Sequence, residues 1–475
     1  MGTMLKILFV DSPISSRWTT ADVQEYIRHK RYSFGILSLM TYTKEKFPDC
    51  QLKYLRIERP EAEKFREEIE TFMPDIIGFS CNSYELYSIY RLIKRARAVL
   101  PAAHICCGGP HVTFFPKETL SLPEVDSIVV GEGEQPFLKL CHYLLHGTPL
   151  GSPGVYVKSD LESNKEFTPS FNSNLDELPI PDMRLLDDYR SYVSFLTGKP
   201  AAILLTSRGC PYTCNYCCSK FFRYRAMSIP RVVEIISQYV SWGIKEFEFW
   251  DETFNPNIKR LTEFAHAIKQ KRLKISFAIR GAVVSNVDYE SIKNLKEAGL
   301  RRIQFGVESC TQRLLELMNK KITREQMRKA FSISNSLKIP SVANMMIGIP
   351  TQTEQEISED MAFVWKLNPT YVSISVFTYA PHTQFYLELL EKENSADYWK
   401  NFAQSPTREV ELRHNYDFVD EEKLFELQAT FTKKYYSRLS YLWRYLFMAQ
   451  PDEIPKVLRL GTRMLFSPSL KARST

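Results

Sequence analysis

The chain has 475 residues, 44% hydrophobic and 25% charged, a globular balance with more chain than one ordinary core needs. Its formal net charge of +7 is spread over 62 basic and 55 acidic residues with no block of consecutive Lys or Arg, so no nucleic-acid-binding face is expected. No run of about 18 apolar residues occurs, so no spanning helix is expected, and the apolar start Met4–Val10 is too short and too quickly broken for a secretory leader. The expected compartment is the cytoplasm.

From Met4 to about Gly147 short apolar strands alternate with amphipathic stretches. Strands are expected at Lys6–Val10, Gln51–Ile57, Asp75–Ser80, His104–Cys107 and Ser127–Val130, with helices at stretches such as Glu61–Thr71 and Leu86–Val99. This predicts a Rossmann-like, doubly wound parallel sheet over residues 1–147. Ligands of such sheets sit beyond the C-terminal strand ends. Those ends carry Asp11-Ser12-Pro13, Ser80-Cys81-Asn82-Ser83, Gly108-Gly109-Pro110-His111 and Gly131-Glu132-Gly133-Glu134. Singly each is an ordinary turn; four at one sheet edge mark a ligand site.

Residues 148–198 are rich in Ser, Asn, Asp, Gly and Pro and read as a linker with one hairpin at Gly154–Val157. The run Asp176-Glu177-Leu178-Pro179-Ile180-Pro181 cannot hold a long regular element. Residues 199–383 alternate again, with strands at Ala202–Thr206, Glu246–Trp250, Lys274–Ile279, Arg302–Val307, Val342–Ile347 and Tyr371–Phe377. Six such units predict a partial (β/α)6 barrel with its chemistry at the C-terminal strand ends. Residues 384–475 read as mainly helical, with one helix over Glu421–Phe447. Its run Tyr441-Leu442-Trp443-Arg444-Tyr445-Leu446-Phe447 is read as a packed helix face or, more sharply, as a basic aromatic surface for a membrane or an apolar substrate.

Of ten cysteines, Cys50, Cys81, Cys106, Cys107, Cys141 and Cys310 read as small buried hydrophobes. Those at Ser207-Arg208-Gly209-Cys210-Pro211-Tyr212-Thr213-Cys214-Asn215-Tyr216-Cys217 differ, because they share one loop just after the first barrel strand. Thiolates are the usual ligands of iron–sulfur clusters. Cys210, Cys214 and Cys217 on a [4Fe–4S] cube would leave one iron without a protein ligand, a place where S-adenosylmethionine (SAM) can bind. A zinc site would need a fourth ligand that neither the adjacent Cys218 nor a nearby His supplies. Polar Thr213 and Asn215 argue against a chance core of thiols.

This C-x3-C-x2-C loop, with aromatic Tyr216 before the third cysteine, resembles the signature of radical SAM enzymes. The resemblance implies SAM contacts from Tyr216, from Asp251 and Glu252 in Trp250-Asp251-Glu252-Thr253-Phe254, from Arg280, from Glu308 and Ser309 in Gly306-Val307-Glu308-Ser309, and from Gly348 and Pro350 in Gly348-Ile349-Pro350. Cys310 and His382 stand where relatives commonly have glycine. The N-terminal part and the Asp176–Pro181 linker are similar to the cobalamin-dependent subfamily, which implies corrin contacts from Asp11, Ser12, Ser80, Gly108, Gly109, Pro110, His111, Gly131, Glu132, Gly133 and Glu134. The D-x-H-x-x-G element that supplies a lower histidine ligand to cobalt elsewhere is absent, and His29, His104 and His111 do not lie in one. A domain that has lost cobalamin and serves as a lid or substrate module is the alternative.

The implied function is methylation of an unactivated carbon of an apolar, lipid or tetrapyrrole-like metabolite, with a [4Fe–4S] cluster, SAM and cobalamin as cofactors. Implied partners are an electron donor such as flavodoxin or ferredoxin and, at most, the periphery of a membrane. The rival readings are a cyclase, oxidoreductase or rearrangement enzyme with the same cofactors, and a non-catalytic metal-binding interaction protein.

Overall fold

A computed structural model describes residues 4–11, 32–57, 63–151, 153–163, 165–194, 198–415, 417–438 and 441. The chain forms two compact units, Met1–Tyr192 with Glu388–Glu411, and Val193–Leu387 with Leu412–Thr475.

In the first unit the strands are β1 (Lys6–Asp11), β2 (Gln51–Arg56), β3 (Ile76–Ser80), β4 (His104–Gly108), β5 (Ser127–Val129) and β6 (Val155–Val157). They lie in the order β2-β1-β3-β4-β5-β6, and the first five run parallel. Burial on both faces explains why β1 and β3 are continuous apolar runs rather than alternating ones. The helices are α1 (Phe34–Lys46), α2 (Glu63–Phe72), α3 (Leu86–Val99), α4 (Pro110–Phe114), α5 (Pro116–Ser121) and α6 (Glu134–His146). Leu8, Val10, Ile77, Phe79, Ile105 and Ile128 of the sheet pack with Ile89, Leu92 and Ile93 of α3 in one core. Cys50, Cys81, Cys106, Cys107 and Cys141 are buried free thiols, as their small apolar side chains suggest.

The doubly wound parallel sheet expected from the alternation is therefore present. The segment expected as a hairpin at Gly154–Val157 is different. Val155–Val157 pairs antiparallel with β5 as an edge strand of the sheet, because its central residue, Tyr156, is buried against Phe167 and donates its hydroxyl to Thr168 O at 2.9 Å. The strand order reverses between β1 and β3, and their last residues, Asp11 and Ser80, are register partners at that switch point.

In the second unit β7 (Ala201–Leu204) is followed by a two-stranded ribbon, β8 (Ser207–Arg208) with β9 (Arg225–Ala226), and then α7 (Ile229–Ser241). The strands β10 (Glu246–Phe249), β11 (Ser276–Ala282), β12 (Leu300–Glu308), β13 (Ser341–Ile347) and β14 (Tyr371–Val376) follow. With β7 they form one parallel sheet in strict chain order, the open (β/α)6 arrangement. Intervening helices are α8 (Ile258–Gln270), α9 (Tyr289–Glu297), α10 (Gln312–Leu317), α11 (Arg324–Ser336) and α12 (Glu354–Leu367). Thr323 with Gln326 and Thr353 with Glu356 form reciprocal capping boxes that start α11 and α12 where the sequence places them.

After α13 (Gln384–Glu393) and α14 (Tyr398–Gln404) comes α15 (Glu421–Tyr436). The helix expected to run to Phe447 is described only to Tyr436, and Leu442–Phe447 lie outside the described residues. The described part is a packing helix on edge strand β14: Tyr436 Oη bonds both Val372 N and Val372 O at 3.0 Å, and Gln428 Nε2 donates to Ile374 O at 2.6 Å. It satisfies backbone groups that an edge strand otherwise leaves open. No helix among the described residues is long and apolar enough to cross a membrane.

Candidate active site

The three cysteines sit on the loop that β8 and β9 pinch at its base. Gly209 makes the turn into Cys210 with φ of +75°, and a Cβ there would lie 2.2 Å from Phe222 O and 2.7 Å from Arg223 O. Only glycine fits that backbone and that space. The loop is then stitched to the segment after α10: Asn215 N donates to Met318 O at 2.9 Å, Asn215 Nδ2 to Leu317 O at 2.8 Å, and Asn319 Nδ2 to Thr213 O at 2.9 Å.

Cys210, Cys214 and Cys217 are half-buried free thiols. Two of their sulfurs already meet donors: Ser219 N lies 3.4 Å from Cys217 Sγ, and Thr253 Oγ1 lies 3.2 Å from Cys210 Sγ. Burial pushes the Cys214 thiol up, against the pull of Lys320, and burial takes neighbouring Cys218 to about 11. No three His, Cys, Asp or Glu side chains among the described residues converge on a point for a single ion. A four-iron cube asks for something else, because each thiolate binds a different iron and the three sulfurs must surround a volume. Half-buried thiols on one anchored loop, with N–H and O–H donors at sulfur, fit that group.

Asp251 lies two residues past the end of the second barrel strand, β10. It is 2% exposed. Its Oδ1 accepts from Thr206 Oγ1 at 2.8 Å and Ser207 Oγ at 2.5 Å, so it braces the residues that lead into the cysteine loop. Its Oδ2 is buried without a hydrogen-bond partner. Burial raises its carboxyl to about 6, against the lowering effect of the Ser207 and Thr206 hydrogen bonds and Arg260. A folded-state value above the unfolded 3.8 means that folding takes up a proton between these values, and that stability from this group is lost as pH rises from 3.8 towards 6. The thermal midpoint of wild type minus that of Asp251→Asn is therefore expected to fall across this window in the apo protein; a pH-independent difference in a thermal-shift series would contradict it.

Glu252 is exposed. Arg280, on the third strand, stacks over the Trp250 ring at 4.2 Å and places Nε 3.2 Å from Glu248 Oε2. Trp250 Nε1 donates to the same oxygen at 3.0 Å, and Arg302 stands 3.9 Å from Oε1. Glu248 thus organises the two strand ends, and the sequence reading missed it. The signal was there: Glu246-Phe247-Glu248-Phe249 alternates acids with buried phenylalanines on one barrel strand.

Glu308 ends the fourth strand at a register shift, with φ of +63°. A non-glycine residue held there is strained, a feature that clusters at functional sites. Its Oε1 is 3.0 Å from Lys320 Nζ, which is itself 3.3 Å from Tyr216 Oη, one residue before Cys217. A Cβ at Gly306 would lie 2.9 Å from Glu308 Oε1 and 3.1 Å from Lys320 Nζ, so the glycine makes the pocket for this pair. Lys320 also escaped the sequence reading, since Asn319-Lys320-Lys321 looks like a solvated turn. Ser309 is turned inward and donates to Asp360 Oδ2 at 2.6 Å, while Cys310 N and Thr311 Oγ1 donate to Oδ1 at 2.9 Å. Gly348 lies under α15, where a Cβ would meet Leu424 Cδ1 at 2.8 Å, and Pro350 beside it is half-buried.

In the first unit Asp11 and Ser80 stand at the switch point, and burial raises the Asp11 carboxyl against Arg56 and the 2.6 Å hydrogen bond from Tyr54 Oη. Ser12 and His29 lie outside the described residues. Cys81 N donates to Gly108 O at 2.7 Å and His111 N to Cys81 O at 3.1 Å, and a Cβ on Gly109 would meet Cys81 O at 2.9 Å, so these two loops are packed backbone to backbone before Pro110 starts α4. His111 is fully buried, with Nδ1 2.9 Å from Ser83 Oγ, and burial lowers it to about 3. Its Nε2 is buried without a hydrogen-bond partner among the described residues, and His104 pairs with Ser127 at the opposite end of β4. Gly131 bridges Ser170. On either side of Gly133, Glu132 accepts from Asn172 N at 2.9 Å, and Glu134, 3% exposed, accepts from Ser38 Oγ at 2.8 Å and Asn172 Nδ2 at 2.9 Å. These carboxylates tie the segment after β6 to the sheet edge. That edge is rich in glycine, at Gly108, Gly109, Gly131 and Gly133, which lets a flat macrocycle approach the backbone closely.

Two family profiles match the chain: the radical SAM superfamily over residues 204–364 and the B12 binding domain over residues 23–140. An uncharacterized methyltransferase of Pyrococcus horikoshii is 34% identical over 326 residues, 67% of this chain and 70% of that protein. The chain belongs to the cobalamin-dependent radical SAM family. The anaerobic magnesium-protoporphyrin IX monomethyl ester cyclase of Cereibacter sphaeroides is 28% identical over 78% of this chain and 62% of its own length. Among solved structures, the cobalamin-dependent radical SAM enzyme OxsB, with aqua-cobalamin and SAM bound, superposes with a TM-score of 0.70 at 18% identity, covering 97% of this chain and 71% of that one. The cofactors that go with this radical SAM family are a [4Fe–4S] cluster, SAM and cobalamin, and membership makes the chain an enzyme rather than a metal-binding interaction protein.

Proposed function

We propose that this radical SAM enzyme methylates an unactivated carbon of an apolar or tetrapyrrole-like metabolite. The observation that carries the reading is the pairing of a three-thiol loop with a B12 binding domain in one chain, whose 34% identical relative is named a methyltransferase. When bound, the cluster supplies one electron for cleaving SAM, and cobalamin serves as the carrier of a methyl group. Cys210, Cys214 and Cys217 would hold the cluster. Glu308 and Lys320 offer opposite charges, 3.0 Å apart, to the ammonium and carboxylate of an amino-acid ligand beside that loop. Arg280, clamped between Trp250 and Glu248, presents a fixed cation at the next strand end.

Lys320→Met is expected to weaken SAM binding about 10- to 100-fold, the worth of one hydrogen bond to a charged group, and to leave iron content unchanged. Equilibrium dialysis of the reconstituted variant checks this; unaltered affinity would remove Lys320 from the site.

An electron donor of the flavodoxin or ferredoxin class completes the reaction. A second reading, cyclisation or oxidation without methyl transfer, is favoured by the 28% identity to a tetrapyrrole cyclase over 78% of the chain. SAM carrying a ¹³C methyl group separates the two, because label enters product only in the first. The aromatic run Tyr441–Phe447 supports an apolar substrate met at or near a membrane surface.

A further inference from the structure

We infer that Thr253 sets the reduction potential of the cluster by donating its hydroxyl hydrogen to Cys210 Sγ. This rests on the reading that Cys210 ligates iron. Thr253 Oγ1 is 3.2 Å from the sulfur, and its side chain is 1% exposed. A buried hydroxyl requires a partner, and Cys210 is the side-chain partner that Thr253 has among the described residues. An iron-bound thiolate carries no hydrogen, so the direction is fixed: oxygen donates and sulfur accepts.

The placement is built from both sides. Phe254 N donates to Gly281 O at 2.8 Å, and the Phe254 ring is wedged against Phe249 and Phe264 at 4.9 and 5.6 Å. Asn255 clamps Val283, accepting from its N at 2.8 Å and donating to its O at 3.0 Å. A Cβ on Gly281 would meet Asp251 O at 2.0 Å, so strand β11 runs hard against the loop that carries Thr253. On the far side, Asp251 holds Thr206 and Ser207, which lead into Cys210. The backbone that carries Thr253 is therefore held firmly beside the cysteine loop.

Hydrogen bonds to cluster sulfurs are one of the protein's levers on potential. The donor favours the state with the extra negative charge, so it makes the cluster easier to reduce. The single electron comes from a flavodoxin- or ferredoxin-class protein, the hydrogen stays on Oγ1, and no bond is made or broken at Thr253. Thr253 is a tuning residue. Cys217, by contrast, takes its hydrogen bond from the Ser219 backbone, and Tyr216 hydrogen-bonds Cys214, so Thr253 is the hydroxyl that acts on the Cys210 sulfur.

The test uses the full chain, reconstituted anaerobically with iron and sulfide and titrated without SAM under EPR detection. Thr253→Val is expected to shift the midpoint to more negative potential, and Thr253→Ser to keep it near wild type. Equal midpoints for wild type and Thr253→Val, or a positive shift, would overturn the proposal. Should Thr253→Val fail to hold a cluster, Thr253→Ala is titrated in its place, with the same negative shift expected and an unchanged or positive midpoint overturning the inference. Iron and sulfide are counted beforehand, so a wild-type chain that assembles no four-iron cluster strikes the ligand assignment itself and is read as such.

Discussion

Cys214→Ala is expected to abolish 5′-deoxyadenosine formation, to below about one part in a thousand of wild type, since a cofactor lost outright takes its chemistry with it. The loss should be clean. Cys214 is a half-buried thiol on a loop held by Asn215 and Asn319, so its removal leaves the neighbouring hydrogen bonds to Met318 O, Leu317 O and Thr213 O in place. The apo variant should therefore melt within about 1 kcal/mol of apo wild type, the usual range for a substitution that leaves no core cavity. Chromatography of anaerobic assays with dithionite and SAM, beside iron and sulfide analysis, checks both halves. Turnover at the wild-type rate would remove Cys214 from the ligand set.

Gly209→Ala should do nearly as much damage without touching a ligand. The left-handed backbone alone costs a non-glycine residue about 1–3 kcal/mol, and the new methyl would sit 2.2 Å from Phe222 O and 2.7 Å from Arg223 O. No rotamer relieves a Cβ, so the ribbon between β8 and β9 must open and carry Cys210 with it. Iron bound per chain is expected to fall by more than half, with circular dichroism unchanged because both sheets lie elsewhere. Gly147→Ala is the matched control: its φ is +66° and nothing lies within 4 Å, so it bears only the backbone cost. Full cluster occupancy in Gly209→Ala would contradict this account of the loop.

Much of this was legible in the sequence because the strongest signals were local. Continuous apolar runs such as Ile7–Val10 and Ile76–Phe79 announce doubly buried parallel strands, and the cysteine spacing lies within eight residues of one loop. What stayed hidden depends on distant partners. Lys320 gains its meaning only beside Glu308 and Tyr216, and Glu248 only when two other strands bring Arg280 and Arg302 to it. Glu132, Glu134 and His111 read as ligand-edge residues, yet Asn172 and Ser38 bond the two carboxylates and Ser83 takes Nδ1 of the imidazole. A polar residue at a strand end is as readily consumed in tying loops together as in meeting a ligand, and only its neighbours in the fold tell which. Val155–Val157 was too short for its antiparallel pairing to stand out from a turn-rich stretch.

The most direct test is the EPR spectrum of the anaerobically reconstituted, dithionite-reduced full chain, recorded before and after SAM is added. A cube held by Cys210, Cys214 and Cys217 predicts a reduced four-iron signal whose g-values shift when SAM occupies the iron that has no protein ligand. A four-iron signal indifferent to SAM, or no such signal at all, would contradict it.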